Sequence, residues 1–372
     1  MNIKNKFIPI FEPYLQGNEK KYLNICLKTN WISSQGEFIK KFERSLAKYH
    51  KAKYCIATSS CTTALHLSLL SLGVDKNSEV ICPALSFIAP ANMILLTGAK
   101  LVLVDIDPVS LTIDPNLIER KITRKTKAIM VVHQFGHAAH MNEIMKIAKK
   151  YNLKVIEDNA ESFGGYYKKK MLGTIGDLAT FSFFSNKIFT TGEGGAVITN
   201  NKNLSRNIQL LRDHGMSAKK KYFHTKLGFN YRMTNLQAAI GIAQMEKINK
   251  ILSIRSKQLK YYEKELSNIR QISIRHYLSW TSKTHWLLTI KFSDSNKVNS
   301  FIKYMNSHNI DCRKMIPPIS KALHVKKMYK NISFKVSESI SKSSVHLPSS
   351  TSLTKKQIIF ICGKIRLFCK QI

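Results

Sequence analysis

The apolar positions of this chain switch repeatedly between two periods. Over Gly36–Tyr49, Phe38, Phe42, Leu46 and Tyr49 recur three or four residues apart, which predicts one buried helical face. Lys53–Ala57 reads as a short strand, and Ala64–Leu72 as an apolar helix ended by Gly73. Strand-like runs return at Glu79–Cys82, Leu101–Val104, Ala128–His133 and Leu153–Ile156, with helices opening at Asp114-Pro115 and Met141-Asn142. After Gly195 come one more strand, Ala196–Thr199, and a helix leading to Asp213-His214-Gly215. Strands alternating with helices predict an α/β fold around a largely parallel sheet. Ligands of such sheets gather at the carboxyl ends of the strands.

From Thr234 a helical pattern, capped by Thr234 or Asn235, runs through Leu236, Ala239, Ile240 and Ala243 towards Leu266. A helix that long commonly bridges domains. The predicted division falls near residue 250, with a large domain over 1–250 and a small α+β domain over 251–372. No internal repeat or low-complexity tract interrupts either part.

Composition narrows the class. The chain has 372 residues, 44% hydrophobic, which is too apolar for a disordered protein. Its net charge is +36, and more than half of that falls after residue 246. Nucleic acid or an anionic membrane surface would account for such a charge. Lysine is nevertheless scattered, in runs no longer than Lys168–Lys170 and Lys219–Lys221, and no helix-turn-helix or aromatic–basic interleaving accompanies it. A solvated basic surface that steers a phosphorylated substrate is the reading adopted, with a non-catalytic nucleic-acid-binding regulator as its rival. The seven cysteines form no CxxC and no Cys/His metal spacing, so no metal is expected, and free thiols in a reducing compartment are. Val80–Ala99 is uncharged for 20 residues, but Pro83, Ser86, Pro90, Asn92 and Thr97 favour a buried strand, loop and helix over a membrane span. The N-terminus lacks a signal core, and a soluble, cytoplasmic protein is expected.

Three segments at predicted strand ends carry candidate chemistry. Thr58-Ser59-Ser60-Cys61-Thr62-Thr63 opens a helix; its hydroxyls and free N–H groups suit a phosphate, or serve only as a cap through Ser60 or Thr62. Glu157-Asp158-Asn159-Ala160-Glu161 sets acids just past a buried strand, where they must be solvated, paired or functional. Thr180-Phe181-Ser182-Phe183-Phe184-Ser185-Asn186-Lys187 ends an aromatic strand in a lysine, before a turn at Gly192-Glu193-Gly194-Gly195. Singly, each has an ordinary explanation. Together, a lysine, an acid and a phosphate cradle are what pyridoxal phosphate (PLP) requires.

These segments occur with Trp31-Ile32-Ser33-Ser34-Gln35-Gly36, Pro83-Ala84-Leu85-Ser86-Phe87, Gly228-Phe229-Asn230-Tyr231-Arg232-Met233-Thr234-Asn235 and Leu347-Pro348-Ser349. In this order the chain resembles the DegT-type nucleotide-sugar aminotransferases through nearly its whole length. The resemblance implies the aspartate-aminotransferase-like fold (type I) of PLP enzymes and a homodimer with active sites at the subunit interface. It implies that Lys187 holds PLP covalently and moves protons, and that Asp158 pairs with the pyridine nitrogen. Phe87 would stack on the ring. Ser182, Thr62 and Thr63 would hold the phosphate, and Asn230 would reach it from the partner subunit. Glu161 would lie near the phenolic oxygen with a raised pKa, and Arg313 would contact substrate. Cys61 stands where many relatives carry Gly, so its turn must avoid a left-handed conformation or bear the strain. Lysine at 187, where sugar-dehydrating relatives have His, keeps amine transfer possible. The implied reaction takes an amino group from L-glutamate, cycling PLP through PMP, onto a nucleotide-linked 4-keto-6-deoxy sugar for a surface glycan. GDP-4-keto-6-deoxymannose is the first choice of acceptor, and a UDP-linked 4-keto sugar, or a 3-keto sugar, the alternative.

Overall fold

The structure, a computed structural model, describes residues 6–282 and 286–371. Helices α1 (Glu19–Lys28) and α2 (Glu37–His50) precede strand β1 (Tyr54–Thr58). Helix α2 buries Phe38, Phe42 and Leu46 as the periodicity predicts. The alternation continues through α3 (Cys61–Ser71), β2 (Glu79–Pro83), α4 (Ala89–Leu96), β3 (Lys100–Val104), β4 (Thr126–Val132), α5 (Met141–Lys150) and β5 (Lys154–Asp158). A two-residue hairpin, β6 (Tyr166–Tyr167) and β7 (Lys170–Met171), then leads to β8 (Leu178–Ser182) and β9 (Gly195–Thr199).

Seven of these strands form one sheet in the order β1-β9-β8-β5-β4-β2-β3. Strand β9 runs antiparallel to both neighbours, and every other pairing is parallel. Thr58, Asp158 and Ser182, the last residues of β1, β5 and β8, therefore share one edge. Strand β9 starts at that edge, with Gly195 paired to both Thr58 and Ser182. The uncharged stretch after Val80 is strand, loop and α4, and among the described residues no helix is long and apolar enough to cross a membrane.

Two expectations are corrected. The segment after Asp114-Pro115 forms only single 3₁₀ turns at Pro115–Leu117 and Glu119–Lys121. The Asp114 side chain caps Asn116 N–H, but Glu119-Arg120-Lys121 offers no second apolar turn to bury. The long helical pattern is likewise broken. After α6 (Lys202–Arg212) it divides into α7 (Asn235–Met245), capped by Thr234, and α8 (Ile248–Leu266). Side-chain contacts with α1 coincide with the break: Glu246 accepts from Tyr22 and Asn18, and Lys247 pairs with Glu19. An apolar period cannot register such contacts.

Beyond α8 a second, antiparallel sheet has the order β10-β11-β13-β12. Its strands are β10 (Ile272–Ile274), β11 (Leu288–Phe292), β12 (Arg313–Lys314) and β13 (Ser344–Leu347). Helices α9 (Lys297–Ser307), α10 (Leu323–Lys326), α11 (Lys335–Ser343) and α12 (Lys355–Lys370) complete the chain. A separate apolar core joins this sheet to α8, α9 and α12, and Ile8 from the N-terminal segment is buried in it.

Candidate active site

The carboxyl edge of the large sheet opens into a cavity of about 240 Å³. One wall is the start of α3. Ser60 is its cap, accepting from Thr63 N–H, while the Thr63 hydroxyl accepts from Ser60 N–H. The first-turn N–H groups of Cys61 and Thr62 have no intrahelical acceptor, which makes this end electropositive. Cys61 avoids a left-handed conformation, since the residue ahead of it is extended at φ −162° and Cys61 begins the helix. Gly195 lets β9 pass directly against this turn: a Cβ there would lie 2.5 Å from Cys61 N.

The acidic segment divides by strand alternation. Glu157 points away from the cavity, where its carboxylate accepts from the N–H groups of Gly173, Ile175 and Gly176 and from His133 Nε2. Burial pushes its pKa up, but these hydrogen bonds outweigh it and hold the carboxyl below its ordinary value. Asp158 faces the cavity. Its Oδ1 accepts from Ala160 N–H at 2.9 Å and lies 3.8 Å from Cys61 Sγ, and among the described residues its Oδ2 takes no hydrogen bond. Glu161 Oε2 accepts from Phe135 N–H at 2.8 Å. Burial raises the pKa of both Asp158 and Glu161, and the nearby Lys187 ammonium partly offsets it. For Glu161 this agrees in direction with expectation, although the cause here is burial.

Lys187 reaches the same cavity from the loop after β8, with 12% of its side chain exposed. Its Nζ lies 3.9 Å from Glu161 Oε1 and 3.6 Å from the centre of the Trp286 ring. Burial lowers the lysine pKa, opposed by Glu161 and Asp158. Trp286 is fixed in turn, its Nε1–H donating to Asn186 O at 2.6 Å.

Of the residues picked out from sequence, Thr62, Phe87, Asp158, Glu161, Ser182 and Lys187 line this one cavity. Phe87 is 60% exposed at its rim. Three others are not part of its lining. Thr63 has its hydroxyl taken up by the helix cap. Asn230 is exposed and accepts from Arg232 Nε. Arg313 is 61% exposed beside Asp311. Sequence reasoning missed Trp286, Phe184 and the cavity side of Ser60 and Asn186. For Trp286 the available signal was thin: one of three tryptophans, in the part of the chain with the weakest pattern.

The donor set suits a flat anionic cofactor: free helix N–H groups and hydroxyls, a carboxylate with an unused oxygen, and an amine all line one cavity. Comparison with known proteins places the chain in a class. The model of the DegT/DnrJ/EryC1/StrS aminotransferase family matches residues 13–366, and the chain belongs to that family. A GDP-perosamine synthase of Escherichia coli O157:H7 is 40% identical over 98% of this chain and 99% of its own length. The GDP-perosamine synthase of Caulobacter vibrioides is 39% identical, covering 94% and 95%. Among solved structures, Helicobacter pylori PseC, an aminotransferase involved in the biosynthesis of pseudoaminic acid, aligns with a TM-score of 0.93. It is 26% identical and covers 99% of this chain and 100% of its own. Aminotransferases of this family are PLP-dependent, and the fold here is that of the PLP sugar aminotransferases.

Proposed function

We propose that this protein transfers the amino group of L-glutamate to C4 of GDP-4-keto-6-deoxymannose, forming GDP-perosamine in the cytoplasm for a surface glycan. The observation that carries the reading is a buried amine, Lys187, sharing a cavity with the free oxygen of Asp158 and the open helix end at Thr62. The choice of sugar rests on the two relatives named as GDP-perosamine synthases.

When bound, PLP supplies an aldehyde carbon to carry the amino group and a ring to take up the electron pair released at the reacting carbon. The residues divide the remaining work. Cys61 and Thr62 N–H, with the Thr62 and Ser182 hydroxyls, bind the phosphate at the positive end of α3. Asp158 Oδ2 holds a proton on the ring nitrogen, and attraction to that cation counters the burial that raises the acid's pKa. Phe87 covers one ring face. Lys187, its pKa lowered by burial, is more readily neutral than an exposed lysine. As a neutral amine it would hold the cofactor through its aldehyde carbon, with loss of water, and when free would take up and return the proton at the reacting carbon. Glu161 holds or shares a proton at the phenolic oxygen.

Asn230 and Arg313 lie outside the cavity of a single chain. Asn230 fits a homodimer in which it completes the partner's phosphate site, and Arg313 a contact with the nucleotide sugar. The basic surface draws the doubly phosphorylated substrate inward. The division between the cofactor-holding domain and the smaller one falls near residue 250.

The test is incubation with PLP, L-glutamate and, separately, GDP- and UDP-linked 4-keto-6-deoxy sugars, with products identified by mass and NMR. A 4-amino product from the GDP sugar supports the reading. Amination of the UDP sugar alone overturns the assigned substrate, and amination of neither overturns the activity.

A further inference from the structure

The Lys187 amine is held loosely by polar groups: among the described residues it forms no hydrogen bond, and its one ion pair, to Glu161 Oε1, is long at 3.9 Å. Its close neighbour is the face of Trp286, at 3.6 Å from the ring centre. The indole cannot turn freely, because Nε1 is tied to Asn186 O one residue from the lysine.

Phe135 connects both neighbours of the amine. Its ring is nearly parallel to Trp286, 6.2 Å between centres and 11° between planes, and its N–H is the donor to Glu161 Oε2. To do both, Phe135 sits at φ 51°, ψ 29°, a left-handed conformation that a bulky residue rarely takes. The turn is secured from outside. Arg275, from the segment after β10, donates to Gln134 O at 2.7 Å and to Ser110 O, and its guanidinium lies 5.7 Å from the Phe135 ring centre. Backbone strain in a buried residue persists where its surroundings over-determine it, and it concentrates at functional sites.

We infer that Trp286 is a positioning residue for Lys187: stacked on Phe135 in a turn braced by Arg275, it presents an aromatic face that fixes the amine and favours its cationic form. The inference rests on Lys187 being the cofactor-bearing amine. An ammonium over an indole face gains electrostatically, with tryptophan best among aromatic rings and more so where water is excluded. Asp158 and Glu161 from the segment at the end of β5, Cys61 from α3, and Glu193 on the same β8–β9 loop as Lys187 are the other titratable groups lining this cavity. None of them changes in a Trp286 variant.

The experiment uses the full chain loaded with PLP. A visible band in the parent, fixed by borohydride onto Lys187, establishes the underlying reading; a protein without it fails that reading and leaves nothing for Trp286 to position. With the band present, its pH midpoint is followed in Trp286→Phe and Trp286→Leu, with circular dichroism to show that each variant folds. The expected midpoint falls by about one unit in Trp286→Leu and by less in Trp286→Phe. A fall in kcat of roughly tenfold, at an unchanged KM for L-glutamate, should accompany Trp286→Leu, since a displaced amine mainly affects the step it performs. Phe135→Ala, which keeps the N–H on Glu161 but removes the stack, should shift the midpoint in the same direction. Should Trp286→Leu not fold, Trp286→Phe alone decides. An unchanged midpoint in folded variants, or a loss confined to thermal stability, overturns the inference.

Discussion

Replacing Gly195 by alanine tests whether the site depends on the close passage of β9 against α3. An added Cβ would lie 2.4 Å from the carbonyl carbon of Ser60 and 2.5 Å from both its oxygen and Cys61 N, all backbone atoms that no rotamer change can move. Ordinary contact begins near 3.4 Å, so the start of α3 must retreat by roughly 1 Å, or β9 must leave its register. Either movement displaces the N–H groups of Cys61 and Thr62 from the cavity, because Gly195 pairs with both Thr58 and Ser182. A misplacement of about 1 Å in a positioned site lowers rate by about 100-fold. The prediction for Gly195→Ala is therefore weaker PLP binding, read by equilibrium dialysis, and turnover reduced about 100-fold. Adding the alanine is also expected to lower Tm, but saturating PLP should not restore turnover if geometry is the cause. Wild-type affinity for PLP together with wild-type turnover would refute the reasoning.

The other predictions concern charge and acid sensitivity. Asp158→Asn should reduce turnover by about 100-fold or more, yet raise the Tm of the cofactor-free protein at pH 7. The folded pKa of Asp158 lies above its unfolded value, so its ionisation destabilises the fold as pH rises through that interval; an unchanged or lower Tm would contradict this. Acid stability should be governed by three buried histidines. Burial pushes His50 down to about 4, and burial together with Arg275 pushes His137 and His346 down to about 3. Because the unfolded chain takes up these protons from about pH 6.5 downward and the fold does not, stability should fall as pH drops from 6.5 towards 4. Each residue contributes on the order of 3 kcal/mol by the bottom of that range. Urea unfolding at pH 7 and at pH 5 measures it, and equal stabilities would disprove it.

Much of the scaffold was legible because it is written in local pattern. The apolar face of α2 and the strand–helix alternation follow from side-chain period alone, but the aromatic strand expected to end in Lys187 stops at Ser182, and β1 and β5 run one and two residues past their expected ends. Polar residues were less readable, since the same sequence feature serves opposite ends. Glu157 and Asp158 are adjacent acids, but the pleat sends one to brace the 173–176 loop and the other into the cavity. Ser60, Thr62 and Thr63 are adjacent hydroxyl residues, and the capping box takes up Thr63 while Thr62 remains at the cavity. Features made by distant contacts left no trace in the pattern. The break between α7 and α8 coincides with contacts to α1, and Trp286 meets Lys187 from 99 positions away in sequence.

The most direct measurement is the absorption spectrum of the purified protein with PLP, before and after L-glutamate, for wild type and Lys187→Ala. The account predicts a visible band in the wild type that L-glutamate shifts, and a borohydride-fixed cofactor mapped by mass to Lys187. A colourless wild type, or a cofactor fixed on any other lysine, would contradict it.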